Sequence, residues 1–515
     1  MDFSVSITTR KTLWISTLLG IALMSTACSP EVNFAATANP TSTAASTMAA
    51  TPTVPTTPTE VESEEVPTLL APAPEETPIP VTPSPIGYQI KAALDYNLKS
   101  VRVDQIIRIT GMLAGLNEMA LIVEANRYYS GFELHALEVN QGLVHDFTLT
   151  SNQLRFSLPE AAGMTGDAQI HLDYTINLPA IPPPSEMFKP QPYGFTERQI
   201  NLVDWYPFVP PLDGQNQWVI HNPPIFGESL VYPVADHEVE LIISGNHLPL
   251  TVAASGMAER SENLYRFKTH ASRNFAISIS PYYRVLEGEA KGVKILTYAF
   301  DGYEAQNAMV LQNAVEAVNL FSELYGLLPQ ASVSVVQADF LDGMEFDGLY
   351  FLSKGFYDLY DGTVKGYLSL IAVHEMAHQW WYGAVGNDQA QEPWLDEALC
   401  TFAELQYMER YYPDLAGWWW IYRVDIYDPV GPIDGSIYTY PSYVSYRNAV
   451  YLQGAHFLAD LREAMGEEAF MKGLKRYYSE NLRRIATRED FFAVFEFNLD
   501  DLQGQVSAKY FSAIP

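Results

Sequence analysis

The chain has 515 residues, enough for two or three domains with cores of their own, and 48% of them are hydrophobic against 18% charged. A formal net charge of −31 argues against nucleic-acid binding, which needs a basic surface to meet phosphates. There are two cysteines, Cys28 and Cys400. With Cys28 in a targeting segment, Cys400 has no partner, and the fold must rest on its core.

Residues 1–27 read as an export signal. Arg10 and Lys11 give the positive start, and Leu13 to Met24 is an apolar run too short for a comfortable membrane span. Ser25 and Ala27 suit ordinary cleavage. The stretch through Cys28 also resembles a bacterial lipoprotein signal, with Ser25 where Leu is usual, which implies a lipid anchor to a membrane. Residues 28–87 are rich in Thr, Pro, Ala and Glu, as in Thr51-Pro52-Thr53-Val54-Pro55, and predict an extended, disordered tether.

Residues 88–288 carry short apolar runs broken by Pro, Gly and Asn, such as Ile106-Ile107-Arg108-Ile109 and Val239-Glu240-Leu241-Ile242-Ile243. Their alternation and β-branched content predict an all-β domain. Residues 289–515 change character. A strand is expected over Val293–Phe300, a helix over Glu304–Tyr325, a strand over Ser332–Gln337 and a helix over Val364–Tyr382. Pro393 opens a further helix, Asn448 to Met465 forms another, and Thr487 with Asp490 reads as an N-cap pair. The whole is an α+β, multidomain chain.

His374-Glu375-Met376-Ala377-His378 is H-E-x-x-H within a helical segment. The spacing puts both imidazoles on one face, about 40° apart around the axis, so both reach one tetrahedral cation. Glu375 then sits beside the metal, placed to take a proton from water without being a ligand. The alternative, two surface histidines on an amphipathic helix, is weakened by Leu368, Leu370, Ile371, Val373 and Trp380, which make the segment apolar nearly all round. A zinc site of this type needs a third protein ligand. Glu397, 19 residues after His378 at the start of the next helix, completes a His₂Glu set. Glu392, Asp396 and Glu404 are neighbouring carboxylates, and Glu404 is open to two readings, a support for a ligand imidazole or a solvated helix residue.

This arrangement, with His378-Gln379-Trp380 and Trp394-Leu395-Asp396-Glu397 around it, resembles the gluzincin aminopeptidases, the membrane alanyl aminopeptidase family that also contains leukotriene A4 hydrolase. The resemblance implies a saddle-like β domain followed by a thermolysin-like, mainly helical catalytic domain. It implies one zinc ion per chain on His374, His378 and Glu397, and peptide substrates with a free N-terminus. Asp342-Gly343-Met344-Glu345-Phe346 matches the family's Gly-x-Met-Glu-Asn motif in part, which implies that Gly343, Met344 and Glu345 bind substrate, Glu345 through the α-amine. Tyr451-Leu452-Gln453-Gly454-Ala455 matches a Tyr-x-x-Gly-Ala setting and implies Tyr451 as the oxyanion donor, with Tyr438, Tyr440, Tyr443 and Tyr446 close by. Larger members carry a helical roof domain. Fewer than seventy residues follow Tyr451 here, so the cleft is expected to be more open or closed by a partner. The alternatives to an aminopeptidase are an endopeptidase or other hydrolase on the same zinc scaffold, or a non-catalytic surface-binding protein. Oligomeric state is not legible.

Overall fold

A computed structural model describes residues 83–183, 191–495 and 502–512. The export signal and all but the end of the 28–87 tether lie outside them. Among the described residues no helix is long and apolar enough to cross a membrane.

The N-terminal part is β-rich. Ile86–Asp95 lies in the middle of an eight-stranded sheet, antiparallel to Ser100–Ile109 and parallel to Ala235–Ser244. Every second side chain of Ile86–Asp95 is buried, from Ile86 through Tyr88, Ile90, Ala92 and Leu94, which is the period of a sheet with one covered face. A four-stranded sheet built on Ile277–Ser280 and a three-stranded one built on Gln153–Ser157 complete this part.

A five-stranded sheet follows, ordered Tyr283–Ala290, Val293–Phe300, Ser332–Ala338, Leu349–Ser353 and Gly343–Phe346. Its central strands are parallel, and the Glu304–Leu324 helix connects two of them. This sheet is the wall between two hydrophobic clusters. Val333, Val335, Tyr350 and Leu352 point into the helical cluster, whereas Val336, Ala338, Leu349 and Phe351 point into the β-rich one. Burial on both faces explains why these strands read as continuous apolar runs. The edge strand Gly343–Phe346 is antiparallel and turns back at Asp347-Gly348, where Gly348 takes φ +76°. The remainder is mainly helical, and the described chain belongs to one compact unit, Ile79–Pro515.

Two helices differ from the sequence-based expectation. The H-E-x-x-H helix spans Tyr367–Ala377 and ends at the second histidine instead of continuing to Tyr382. Past it the amides bond five residues back, Gly383 N to His378 O (2.8 Å) and Ala384 N to Gln379 O (3.0 Å), and Tyr382 takes φ +146°. The buried Arg273 guanidinium, carried by the β-rich part, holds this wide turn by donating to the carbonyls of Tyr382 and Gly383. The expected Asn448–Met465 helix is present, but its first part, Asn448–Gln453, is a π-turn and Gly454–Met465 is α-helical. Thr487 and Asp490 form a reciprocal capping box.

Candidate metal centre

The Tyr367–Ala377 helix is buried almost throughout, and the Trp394–Tyr411 helix packs against it. The proximity brings His374, His378 and Glu397 together. Glu397 Oε2 lies 3.2 Å from His374 Nε2 and 3.5 Å from His378 Nε2. Ligands about 2.1 Å from a tetrahedral zinc are separated by ~3.4 Å, so both separations from Glu397 match the edges of such a polyhedron, and all three donors lie within 4.8 Å of one another. Two imidazole nitrogens and one carboxylate oxygen are also the donor types zinc favours.

The other ring nitrogens are fixed as well. His378 Nδ1 meets the Trp381 carbonyl at 3.2 Å, and His374 Nδ1 meets Glu404 Oε1 at 3.0 Å. Glu404 is fully buried and therefore no solvated helix residue. It accepts from Arg423 Nε and Nη2, both at 2.8 Å, and from Trp419 Nε1 at 3.1 Å. This carboxylate–imidazole pair orients His374 and leaves Nε2 for a metal. Burial pulls the His374 pKa down, but Glu397 and Glu404 outweigh it and the imidazole ends above its ordinary value. Burial raises Glu397, yet its bonds to the two histidines win and hold it far below the carboxylate range. An acidic cage of this kind is satisfied by a divalent cation.

Glu375 is buried, with Oε2 lacking any hydrogen-bond partner. Desolvation drives its pKa well above the usual carboxylate value, with Glu345 and Glu397 adding to the rise against His378. Gly343 explains its freedom. A Cβ at Gly343 would lie 2.1 Å from Glu375 Oε1, so the edge strand approaches the carboxylate only because this residue has no side chain. Asp342, where the resembling motif carries Gly, takes the left-handed φ of +70°.

Glu345 is buried in the same strand and accepts from Gln389 Nε2 at 2.9 Å. The same amide reaches Asp396 Oδ2 at 2.8 Å. Met344 is buried against the β-rich cluster and contributes to the cavity wall. Tyr451 donates to Glu397 Oε1 at 2.5 Å, and its ring stacks on His374, 5.9 Å between centres. Gly454 makes that approach feasible: a Cβ there would fall 2.4 Å from Ala398 Cβ, so the two helices touch through glycine.

All eight residues singled out from the sequence, Gly343, Met344, Glu345, His374, Glu375, His378, Glu397 and Tyr451, line one cavity of about 630 Å³, an ordinary size for a small-molecule site. Its other walls come from Ile225–Glu228 of the β-rich part and from Pro441–Arg447. The two segments meet through packing of Phe226 on Tyr446, and just outside them Tyr438 O–H donates to Asn222 O at 2.5 Å. Arg423, Trp419 and Gln389 were invisible in the sequence because they sit on loops and short turns with no spacing rule. An acidic residue on the inner face of the Glu397 helix was the one hint of a buried cation opposite it.

Residues 311–507 match the family model described as the Peptidase family M1 domain. Aminopeptidase M1-D of Oryza sativa subsp. japonica is 25% identical over 228 residues, 40% of this chain and 25% of its own length. Endoplasmic reticulum aminopeptidase 2 of Bos taurus is 22% identical over 317 residues, 58% of this chain and 32% of its own length. The matched part thus spans a quarter to a third of these relatives. In fold, the chain is similar to the crystal structure of an M1 zinc metallopeptidase from Deinococcus radiodurans, with TM-score 0.58, 15% identity, and coverage of 84% of this chain and 94% of that one. The cavity residues from Leu341 to Tyr451 all lie inside the segment that this family model matches.

Proposed function

We propose that this protein is a zinc aminopeptidase that removes the N-terminal residue of peptides. The observation that carries the reading is the convergence in one cavity of a His₂Glu donor set, an unpartnered Glu375 oxygen and the Glu345 carboxylate. His374, His378 and Glu397 would hold one zinc ion, which supplies Lewis acidity that acidifies water and polarises a carbonyl. Glu375 takes the proton of the attacking water, a task suited to a carboxylate whose pKa is raised by burial. It then passes that proton to the leaving amine. The Tyr451 phenol, now on Glu397, is placed to donate to the carbonyl oxygen as negative charge builds there. Glu345 pairs with the substrate's α-ammonium and so sets the cut after the first residue. Glu404, clamped by Arg423, keeps His374 in the tautomer the metal needs.

The test compares an amino-acyl anilide with the same anilide blocked at its amine. Cleavage of the free form and not the blocked one is expected; a preference for the blocked form would overturn the role of Glu345. We also propose that the enzyme works outside the cytoplasm on a lipid anchor at Cys28, from the charged start, apolar run and tether of its N-terminus. Mass spectrometry of the mature N-terminus decides that, an unmodified residue after Ala27 counting against it.

A further inference from the structure

Asp342 stands where the resembling motif has glycine, and the mechanism gives it no task, although Glu345, Glu375 and Glu397 in the same cavity all have one. The edge strand begins one residue later, at Gly343. Regular alternation would send residue 342 to the side of Met344, which is buried against the β-rich cluster. The φ of +70° breaks that alternation, and the Asp342 side chain is exposed to the cavity. Its Oδ1 accepts from Gly343 N–H at 3.1 Å and its Oδ2 from the Tyr443 hydroxyl at 3.4 Å. Neither partner is charged, and among the described residues no Lys, Arg or His nitrogen lies within ion-pair distance. Desolvation raises the Asp342 pKa, and the Gly343 amide with the more distant Arg423 and His374 offsets the rise only in part. A cation brought against the carboxylate would complete the compensation.

The edge strand shows which part of a substrate that carboxylate meets. Gly343 approaches Glu375 so closely that a Cβ there would fall 2.1 Å from Oε1. With ~3.8 Å between adjacent Cα atoms and ~1.5 Å for a carbon–carbon bond, the Asp342 Cα stands within about 7.5 Å of that oxygen. Glu345 lies two residues from Gly343 in the other direction. The general base thus faces the strand between the amine-binding carboxylate and Asp342. A peptide whose α-ammonium rests on Glu345, and whose first peptide bond faces Glu375, brings its second residue level with Asp342. Ile371 Cγ2, 2.8 Å from the same Cβ position, and the Tyr443 ring give the methylenes of a long side chain an apolar wall beside the charge.

We infer that Asp342 is a specificity-determining residue that takes a cationic side chain, lysine or arginine, from the second residue of the substrate, just beyond the scissile bond. The inference rests on the aminopeptidase reading of this cavity and adds to it the class of residue that follows the cut. The same position rejects an acidic second residue, because its carboxylate would meet that of Asp342.

The experiment measures kcat/KM for release of the first residue from tri-alanine amide and from its three single-lysine isomers, Lys-Ala-Ala, Ala-Lys-Ala and Ala-Ala-Lys amide, in the wild type and in Asp342→Asn and Asp342→Gly. The isomers have the same net charge, so the long-range field of a chain of net charge −31 acts on all three alike. The wild type should favour Ala-Lys-Ala amide over Ala-Ala-Lys amide by about tenfold or more, mostly in KM. Asn and Gly both tolerate the left-handed backbone, and each variant should bring that ratio close to one. With glutamate in place of lysine the wild-type preference should reverse and the Asp342→Asn protein should again show none, a pattern that a role in shaping the turn would not produce. A wild-type ratio near one, a lysine preference at the first residue instead of the second, or a ratio that persists in a folded Asp342→Asn protein overturns the inference. Cleavage of tri-alanine amide with no preference among the isomers sinks the role of Asp342 alone, whereas no cleavage of any of these unblocked peptides sinks the aminopeptidase reading beneath it.

Discussion

His237 and His374 are both buried imidazoles with both ring nitrogens occupied, yet they sit on opposite sides of an electrostatic divide. In the β-rich part, His237 meets the Tyr206 hydroxyl at 2.8 Å and Ser272 Oγ at 3.0 Å, and it stacks on Tyr88. Burial brings its pKa down to about 3, with only a weak opposing pull from Asp236. His374 is buried as deeply, but its partners are the carboxylates of Glu397 and Glu404, and its pKa is raised. Burial of a histidine therefore says little about its task. Neutral hydroxyls make it a satisfied piece of core, whereas carboxylates make it half of a cation site.

The sharpest test of that contrast is Glu375→Gln. It should lower kcat by ~10²- to 10⁴-fold with zinc content unchanged by metal analysis, since the group lost is a proton carrier and not a ligand. Next comes His237→Ala, which should cost about 2–4 kcal/mol in denaturant unfolding, through a cavity and stranded hydroxyl partners. Zinc content and turnover of the folded protein should stay as they are, and a His237→Ala protein that lost zinc would break the comparison. Glu404→Gln should weaken zinc binding about 10- to 100-fold in a chelator competition, because it loosens His374 and leaves Arg423 facing a neutral group.

The pH response tests the same contrast without touching the metal site. His237 is neutral in the fold down to about pH 3 but is protonated below its ordinary 6.5 when unfolded. The unfolded chain therefore binds the extra proton in this window. The stability tied to this residue is present above pH 6.5 and is lost as pH falls toward 3, at up to ~1.4 kcal/mol per pH unit. The difference in unfolding free energy between wild type and His237→Ala should narrow across that range, and a constant difference would show that His237 takes up its proton in the fold.

The metal ligands were legible because their signal is local. Two histidines a helical turn apart, and a glutamate one loop later, need no knowledge of the rest of the chain. The alternating strands were legible for the same reason. The end of the His374 helix was not: Gln379 to Val385 continues its apolar pattern, and only Arg273, more than a hundred residues earlier, turns the chain there. Glu404 stayed ambiguous because its partners Trp419 and Arg423 lie beyond the end of its own helix. The segment Ile225–Glu228 carries no periodic signal at all, and its place in the cavity wall follows from tertiary packing alone.

The reach of Arg273 bears on where the chain can be cut. The recognisable sequence signature starts at residue 311, but one guanidinium upstream of it supports the bend behind His378 and also donates to the Arg484 carbonyl at 2.8 Å. A fragment cut to the signature would keep every reactive group and lose the brace that aims them. The unit to clone is therefore larger than the stretch by which it is recognised.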